Sequence, residues 1–424
     1  MKHTTETMKP RSDASAHLVL RANMLIDGSG SEPVSRALVA IAGRRIAYAG
    51  PEQEAPEFPG ARQLDLPEAC LMPGLIDMHV HPTYYWEELD SAAYTYDPEQ
   101  ALVYSPVAIA FLAAANLRQA LLSGVTTARD TGSVGGVMPD VKRAIAKSQT
   151  MGPKVYAAGR LVTPTGGHCH FLPAFSNRAD GPDGFRRAVR QEIETGADFI
   201  KIANRGADMT QEELSAAVDE AHRLDKKVAC HTGKPPSQRM AIEAGVDTFE
   251  HGTPTPEEIA LAVEKDISWT PTINVTIERQ KWCDRRRNHA DPGIARQAEK
   301  EWIEAGDYLE RKAESLTCAL KAGLKVLAGT DSWSGDVRFD AMADEIHWLV
   351  EYGCSPMQAL QAATSWPAEA MGWSEIGVLQ ENKLADIIAV QGNPLEDVGL
   401  LDQVFLVIRE GQVVKSEPPK AETT

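Results

Sequence analysis

Eight short apolar runs punctuate the middle of this chain. They are LIDMHVH (75–81), VTTARD (125–130), KVYAAGR (154–160), DFIKIAN (198–204), KVACHT (227–232), TFEHG (248–252), SWTPTI (268–273) and KVLAGTD (325–331). Amphipathic stretches separate most of them, such as TQEELSAAVDEAHRLD (210–225) and AEKEWIEAGDYLERKAESLTCALKAG (298–323). Each of these has apolar residues at helical spacing and an acidic start. Strand–helix–strand repeats of this kind build parallel sheets. Eight of them predict an α/β chain with a parallel (β/α)8 barrel, the TIM architecture, over residues 71–372.

The flanks have a different texture. Residues 1–16 are polar and aperiodic and read as a disordered tail. Then AHLVLRANMLIDG, RALVAIAGRRIAYAG and ARQLDLPEACLMPG read as strands, separated by the turn-rich DGSGSEP and PEQEAPEFPG. Segment 17–70 is too short to bury a good core alone. After a last helical region at 342–372, KLADIIAVQG and QVFLVIREGQVVK return to strand texture. The expectation is one small β-sandwich domain built from 17–70 plus 373–418, beside the barrel, with SEPPKAETT a disordered end.

The net charge of −17 argues against a nucleic-acid partner, because phosphate binding needs a basic footprint. Six cysteines at 70, 169, 230, 283, 318 and 354 form no C-x-x-C pair, which suits reduced thiols. The N-terminus lacks an apolar signal region, and no apolar run of about 18 residues occurs. These features together predict a cytoplasmic protein without a membrane partner.

The chemistry gathers at the strand ends. Alternation along a strand turns His79 and His81 to one face, at the C-terminal mouth where such barrels keep their reactive groups. Lys201 points inward with Phe199 and Ala203, while Ile200 and Ile202 face the helices. ACHT carries His231, FEHG carries His251, and AGTD ends on Asp331. A lysine facing a barrel mouth is costly unless paired or functional. An ion pair with Asp331 is the plain structural alternative for it. One shared site is a better account of five such strand ends than five coincidences.

These residues bring a resemblance into view. PGLIDMHVHP and the order HxH, Lys, His, His, Asp resemble the amidohydrolase superfamily, specifically its members with a binuclear metal centre and a carboxylated lysine. The opening ANMLIDGSGSEPVSRALVAIAGRRIAYAG and the closing GVLQENKLADIIAVQGNPLEDV resemble the family's β segments. Within it the chain is similar to the imidazolonepropionase-like peptidases and amidases: Xaa-Pro-type dipeptidases, lysine/arginine carboxypeptidases and ochratoxin-hydrolysing amidases. The resemblance implies two divalent ions, zinc or a similar metal. One is held by His79, His81 and Asp331, the other by His231 and His251, with Lys201 bridging as N6-carboxylysine. Such ions sit about 3.5–4 Å apart. A shared hydroxide would attack the scissile carbonyl, and Asp331 would pass the proton to the leaving nitrogen.

PTGGHCH (164–170) resembles the subgroup's histidine loop, so His168 is a candidate donor to the substrate carbonyl and His170 a candidate substrate contact. Each could instead be a loop histidine bonded to backbone. Arg205 is placed to hold a substrate carboxylate, or else forms a surface salt bridge; the loop there departs from the small-residue pattern of the subgroup. Tyr84, with Tyr85 and Trp86, could line the pocket or serve interface packing. The insertion 274–297 reads as helix with a solvated face, or as a lid. The implied substrate is a dipeptide or N-acyl amino acid, or a xenobiotic amide such as ochratoxin. The implied assembly is a homo-oligomer, up to an octamer. Ring opening of imidazolone-like substrates or deamination is the alternative, against which Lys201 counts, and a non-catalytic scaffold is a further one, against which the complete ligand set counts.

Overall fold

The computed structural model describes residues 16–85, 105–170, 172, 174–206, 208–334 and 337–417. The readings of a tail at 1–15, of Trp86 and of the last residues from 418 fall outside them.

The two ends of the chain share one sheet. Strands β1 (Leu18–Leu25), β2 (Val34–Ala42), β3 (Arg45–Pro51) and β4 (Arg62–Pro73) come from the start. β2 and β3 are joined by the two-residue turn Gly43–Arg44, where Gly43 takes φ 58, open to glycine at no cost. Strand β4 runs parallel to β1 and antiparallel to a strand from the far end, Ile387–Gln391, through pairs such as Met72 with Ile388. Leu20, Val39 and Leu71 pack with Ile387 and Ile408 in one core. The expected two-layer sandwich is met only this far: a single seven-stranded sheet drawn from both ends.

Between these flanks the strands are parallel and fall into two sheets. One has four strands: β5 (Leu75–Tyr85), β6 (Val125–Asp130), β7 (Lys154–Ala157) and β14 (Ser332–Ser334). The other has six: β8 (Leu161–Thr163), β9 (Ser176–Arg178), β10 (Ile200–Asn204), β11 (Val228–Thr232), β12 (Thr248–His251) and β13 (Ser268–Thr270). Run 154–160 divides at Gly159, which sits at φ 73 and turns the chain between β7 and β8. Run 325–331 is extended but not a regular strand. It still serves both sheets: Leu327 N–H donates to Trp269 at 2.8 Å, and Met78 N–H donates to Ala328 at 3.0 Å. On the opposite side Asp198 N–H reaches the Ala157 carbonyl at 2.8 Å.

Helices cover the outward faces. Gln211–Arg223 starts on a capping box, the Thr210 and Glu213 side chains each bonding the other's backbone N–H. Its Leu214, Ala217 and Val218 join Ile200 and Ile202 in the main core. Region 342–372 is three helices, Met342–Glu351, Pro356–Ala362 and Ser365–Met371. Segment 274–297 is helical as expected, with Ile273–Arg286 followed by a helix from Pro292 to Ala322. Arg279 and Arg287 pair with Glu301 at 3.0 Å and Glu299 at 2.5 Å across this hairpin. Among the described residues no helix is long and apolar enough to cross a membrane.

Candidate metal centre and active site

The strand ends deliver their side chains to one cavity of about 80 Å³. It is lined by His79, His81, His168, Lys201, His231, His251 and Asp331, with Leu161, Cys169, Phe175 and Ala203 forming an apolar side. Four imidazoles lie ring against ring: His79 is 5.1 Å from His81 and 4.8 Å from His251, and His251 is 4.5 Å from His231. His168 stacks on His231 at 4.1 Å. Asp331 Oδ1 lies 3.4 Å from His79 Nε2 and 3.3 Å from His81 Nε2, and Oδ2 lies 3.9 Å from His251 Nδ1.

Two of these residues arrive by unusual backbone. Strand alternation gives the inward face of β12 to Thr248 and Glu250, so His251 belongs to the other face. It reaches the cavity because its φ is 62. Asp331 turns in with φ 56. Left-handed conformations cost non-glycine residues energy and cluster where function over-determines the backbone. Gly329 lets the Asp331 loop close: a Cβ there would meet His79 Cβ at 2.9 Å.

Partners beyond the cavity decide which ring nitrogens face inward. His81 Nδ1 lies 3.0 Å from the Gly132 carbonyl, which can only accept, so Nδ1 carries a hydrogen and Nε2 is the nitrogen turned toward Asp331. Thr272 spends its hydroxyl hydrogen on the Pro271 carbonyl at 2.7 Å. His251 Nδ1, 2.6 Å from that hydroxyl oxygen, must therefore be the donor. Burial pushes His251 down to about 3, and it pushes His79 and His231 well below the usual histidine range, so these rings are neutral. Burial alone would raise Asp331, but the His81 contact and the charges around it carry its pKa below the usual value. The Nε2 atoms of His79 and His81 thus converge on one oxygen of the Asp331 carboxylate, at 3.4 and 3.3 Å. A divalent cation satisfies that set, and four imidazoles with carboxylate suit zinc. His79, His81 and Asp331 form one candidate cluster; His79, Glu250 and His251 form another.

Lys201 is 2% exposed, and burial, then the nearby Arg129 charge, brings it down to about 7. Its Nζ donates to Glu250, so the ion-pair partner expected from the sequence, Asp331, is replaced by a residue that reading passed over. Arg129, Glu250 and Thr272 were all missed. Alternation was the available signal: it turns Arg129 and Glu250 inward by the same logic as Lys201.

The substrate-contact candidates separate. His168 lines the cavity, and burial with Arg205 beside it lowers its pKa to about 4. His170 is not among the lining residues, and its Nδ1 lies 2.8 Å from the Gly167 carbonyl. Arg205 is exposed, not enclosed, next to His168. Tyr84 packs 5.4 Å from Phe175 and 5.5 Å from Trp333, one ring removed from His81.

The loop that orients His251 rests on two buried charges. Lys312 donates to the Pro271 carbonyl, and Glu345 accepts the N–H groups of Ile273 and Asn274 at 3.0 and 2.7 Å. Glu345→Ala is expected to cost about 1–3 kcal/mol for each amide left unpaired, read as a lower thermal midpoint. An unchanged midpoint would show that the loop is held by other means.

The Amidohydrolase family model matches residues 70–415 of this chain. Ochratoxinase from Aspergillus niger is 29% identical over 92% of this chain and 85% of its own length. An imidazolonepropionase from Cutibacterium acnes is 24% identical over 84% of each chain. Among solved structures, a Xaa-Pro dipeptidase with bound methionine in its active site superposes with a TM-score of 0.79 at 28% identity, covering 94% of this chain and 100% of that one. The A. niger ochratoxinase structure gives 0.80 at 27%, covering 94% and 95%. With a family match over most of its length and a site of buried histidines, lysine and aspartate at its strand ends, the chain belongs to the amidohydrolase family and is a hydrolase.

Proposed function

We propose that this protein hydrolyses the amide bond of a dipeptide or N-acyl amino acid, an ochratoxin-like amide included, at a centre of two divalent ions. The observation that carries this is the convergence of four histidines, Lys201 and the Asp331 carboxylate around one cavity. His79, His81 and Asp331 would hold one ion, His231 and His251 the other, with Lys201 bridging as a carbamate. Bound there, two such ions polarise a carbonyl and bring the pKa of a coordinated water to about 7. Asp331, ionised and central, accepts the proton of the attacking water and returns it to the leaving nitrogen. His168 stands on the rim to hydrogen-bond the carbonyl oxygen as charge develops. The Leu161–Phe175 side of the cavity excludes water from the bond being cleaved.

The fold supports the same reading. Segment 325–331 bonds both parallel sheets on one side, and Asp198 links them on the other, so we read them as one eight-unit barrel over 71–372. The shared seven-stranded sheet supports 17–70 plus 373–418 as the second domain. All six cysteines are free, which suits a reducing cytoplasm. Val107 and Phe111 turn 65% and 74% of their surface outward, which suits the oligomer.

Metal analysis beside a screen of dipeptides and N-acyl amino acids tests the function. About two ions per chain with amide turnover is expected. One ion with turnover of cyclic imidazolone-like substrates would favour the imidazolonepropionase activity instead, and no ion with no turnover would leave a scaffold.

Substrate anchoring gives a second test. Arg205 carries an exposed cation beside His168. Arginine binds a carboxylate through two charge-assisted hydrogen bonds. Because Arg205 is not enclosed, amidating the substrate carboxylate should lower kcat/KM by roughly tenfold, about 1.4 kcal/mol, and not by far more. Arg205→Ala should erase most of that difference. Equal turnover of free and amidated substrates would make the protein a general amidase.

A further inference from the structure

Two buried charges beneath the histidines have no part in the reaction proposed above. Glu250 and Arg129 are each fully buried. Arg129 is fixed first: Nε donates to the Met78 carbonyl at 2.7 Å and Nη1 to Thr248 Oγ1 at 2.9 Å. Its Nη2 donates to Glu250 Oε1 at 2.5 Å. The second oxygen, Oε2, faces two candidate ligands at once: Lys201 Nζ donates to it, and His79 Nδ1 lies 2.8 Å away. That His79 nitrogen is buried and has no aligned hydrogen-bond partner.

We propose that Glu250, held by Arg129, is a positioning residue of the metal centre: it sets the orientation of His79 and of the Lys201 nitrogen. This rests on the metallohydrolase reading. A carboxylate only accepts, so a ring turned into line with Glu250 carries its hydrogen on Nδ1 and leaves Nε2 as the lone pair toward Asp331. Lys201 keeps a donor for Glu250 in either state. Carboxylation forms one N–C bond with carbon dioxide and releases one proton to water, and the carbamate nitrogen retains one N–H. Glu250 thus holds the nitrogen in place while the new carboxylate reaches out to the ions.

Two simpler readings fit less well. Glu250 could itself be a ligand, since it lies within reach of His79 and His251. Its two oxygens, however, already accept from Arg129 and Lys201, with His79 Nδ1 2.8 Å away. A purely structural ion pair would gain little, because buried pairs are often replaceable by apolar residues without loss. Contact with two candidate ligands is not needed for that role.

The experiment uses the full chain and zinc alone as probe. Zinc content, zinc affinity by chelator competition, and the carbamate signal in ¹³C NMR with labelled bicarbonate are measured for wild type, Glu250→Gln and Glu250→Asp. Removing such a partner typically weakens metal binding about 10–100-fold. Glu250→Gln should show that loss and a diminished carbamate signal while keeping its circular dichroism spectrum, and Glu250→Asp should restore part of both. If Glu250→Gln does not fold, Arg129→Lys is read the same way. Folded Glu250→Gln or Arg129→Lys protein with wild-type zinc affinity and carbamate signal overturns the proposal alone. Wild-type protein that takes up no zinc overturns the metallohydrolase reading and this proposal with it.

Discussion

On the proposed two-ion reading, Lys201→Ala is expected to purify with less than its full metal complement and to lose turnover by roughly 10⁴-fold or more, because water activation by paired ions would be lost with the bridge. The effect should be specific to the centre, not to the fold. Lys201 is buried and donates to Glu250, yet Glu250 keeps Arg129 as its counter-ion after the substitution, so no unpaired charge is stranded. The space left by the side chain opens onto the cavity of the four imidazoles. A short carboxylic acid supplied in the buffer can enter it and offer the two oxygens that a carbamate would have offered. Partial recovery of zinc content and of turnover with such acids is the expected signature. A fully active Lys201→Ala enzyme would remove the carbamate from the mechanism.

Asp331→Asn should leave the fold intact and cut kcat by about 10²–10⁴-fold, the usual worth of general acid–base assistance, with any metal disturbance added. The backbone favours the substitution: Asp331 sits at φ 56, a conformation that asparagine tolerates well. What changes is chemical. The carboxylate is ionised and lies 3.3–3.4 Å from the Nε2 atoms of His79 and His81, whereas an amide has no negative charge to hold a cation and cannot take a proton from water. Metal content measured on the same samples separates the two losses. A kcat near that of wild type, with metal retained, refutes the proton-transfer role.

Period was legible in this sequence. The apolar runs that became β5, β6, β10, β11 and β12 stand within a few residues of their expected places, because alternation and β-branched content act locally. His79, His81, Lys201 and His231 were legible for the same reason: each lies on a regular strand, where inward direction follows from counting by twos. Departures from the period were not legible. Run 325–331 was expected as a strand, but its bonds are shared between two sheets and it ends in a left-handed residue, so it is extended chain. β8 and β9, of three residues each, went unrecognised.

By itself, then, the sequence determined the alternation of strand and helix, the inward residues of regular strands and, through the HxH, Lys, His, His, Asp order, the family to which the chain belongs. Only the tertiary structure decided the rest. It chose Glu250 over Asp331 as the partner of Lys201, although both are acidic and near strand ends, because the Arg129 guanidinium fixes Glu250 beneath the histidines. It turned His251 into the cavity against its strand's alternation, left His170 with the Gly167 carbonyl, and kept Arg205 at the surface. These outcomes depend on distances between segments far apart in the chain and on backbone torsions at single residues, and neither quantity is carried by local period or composition.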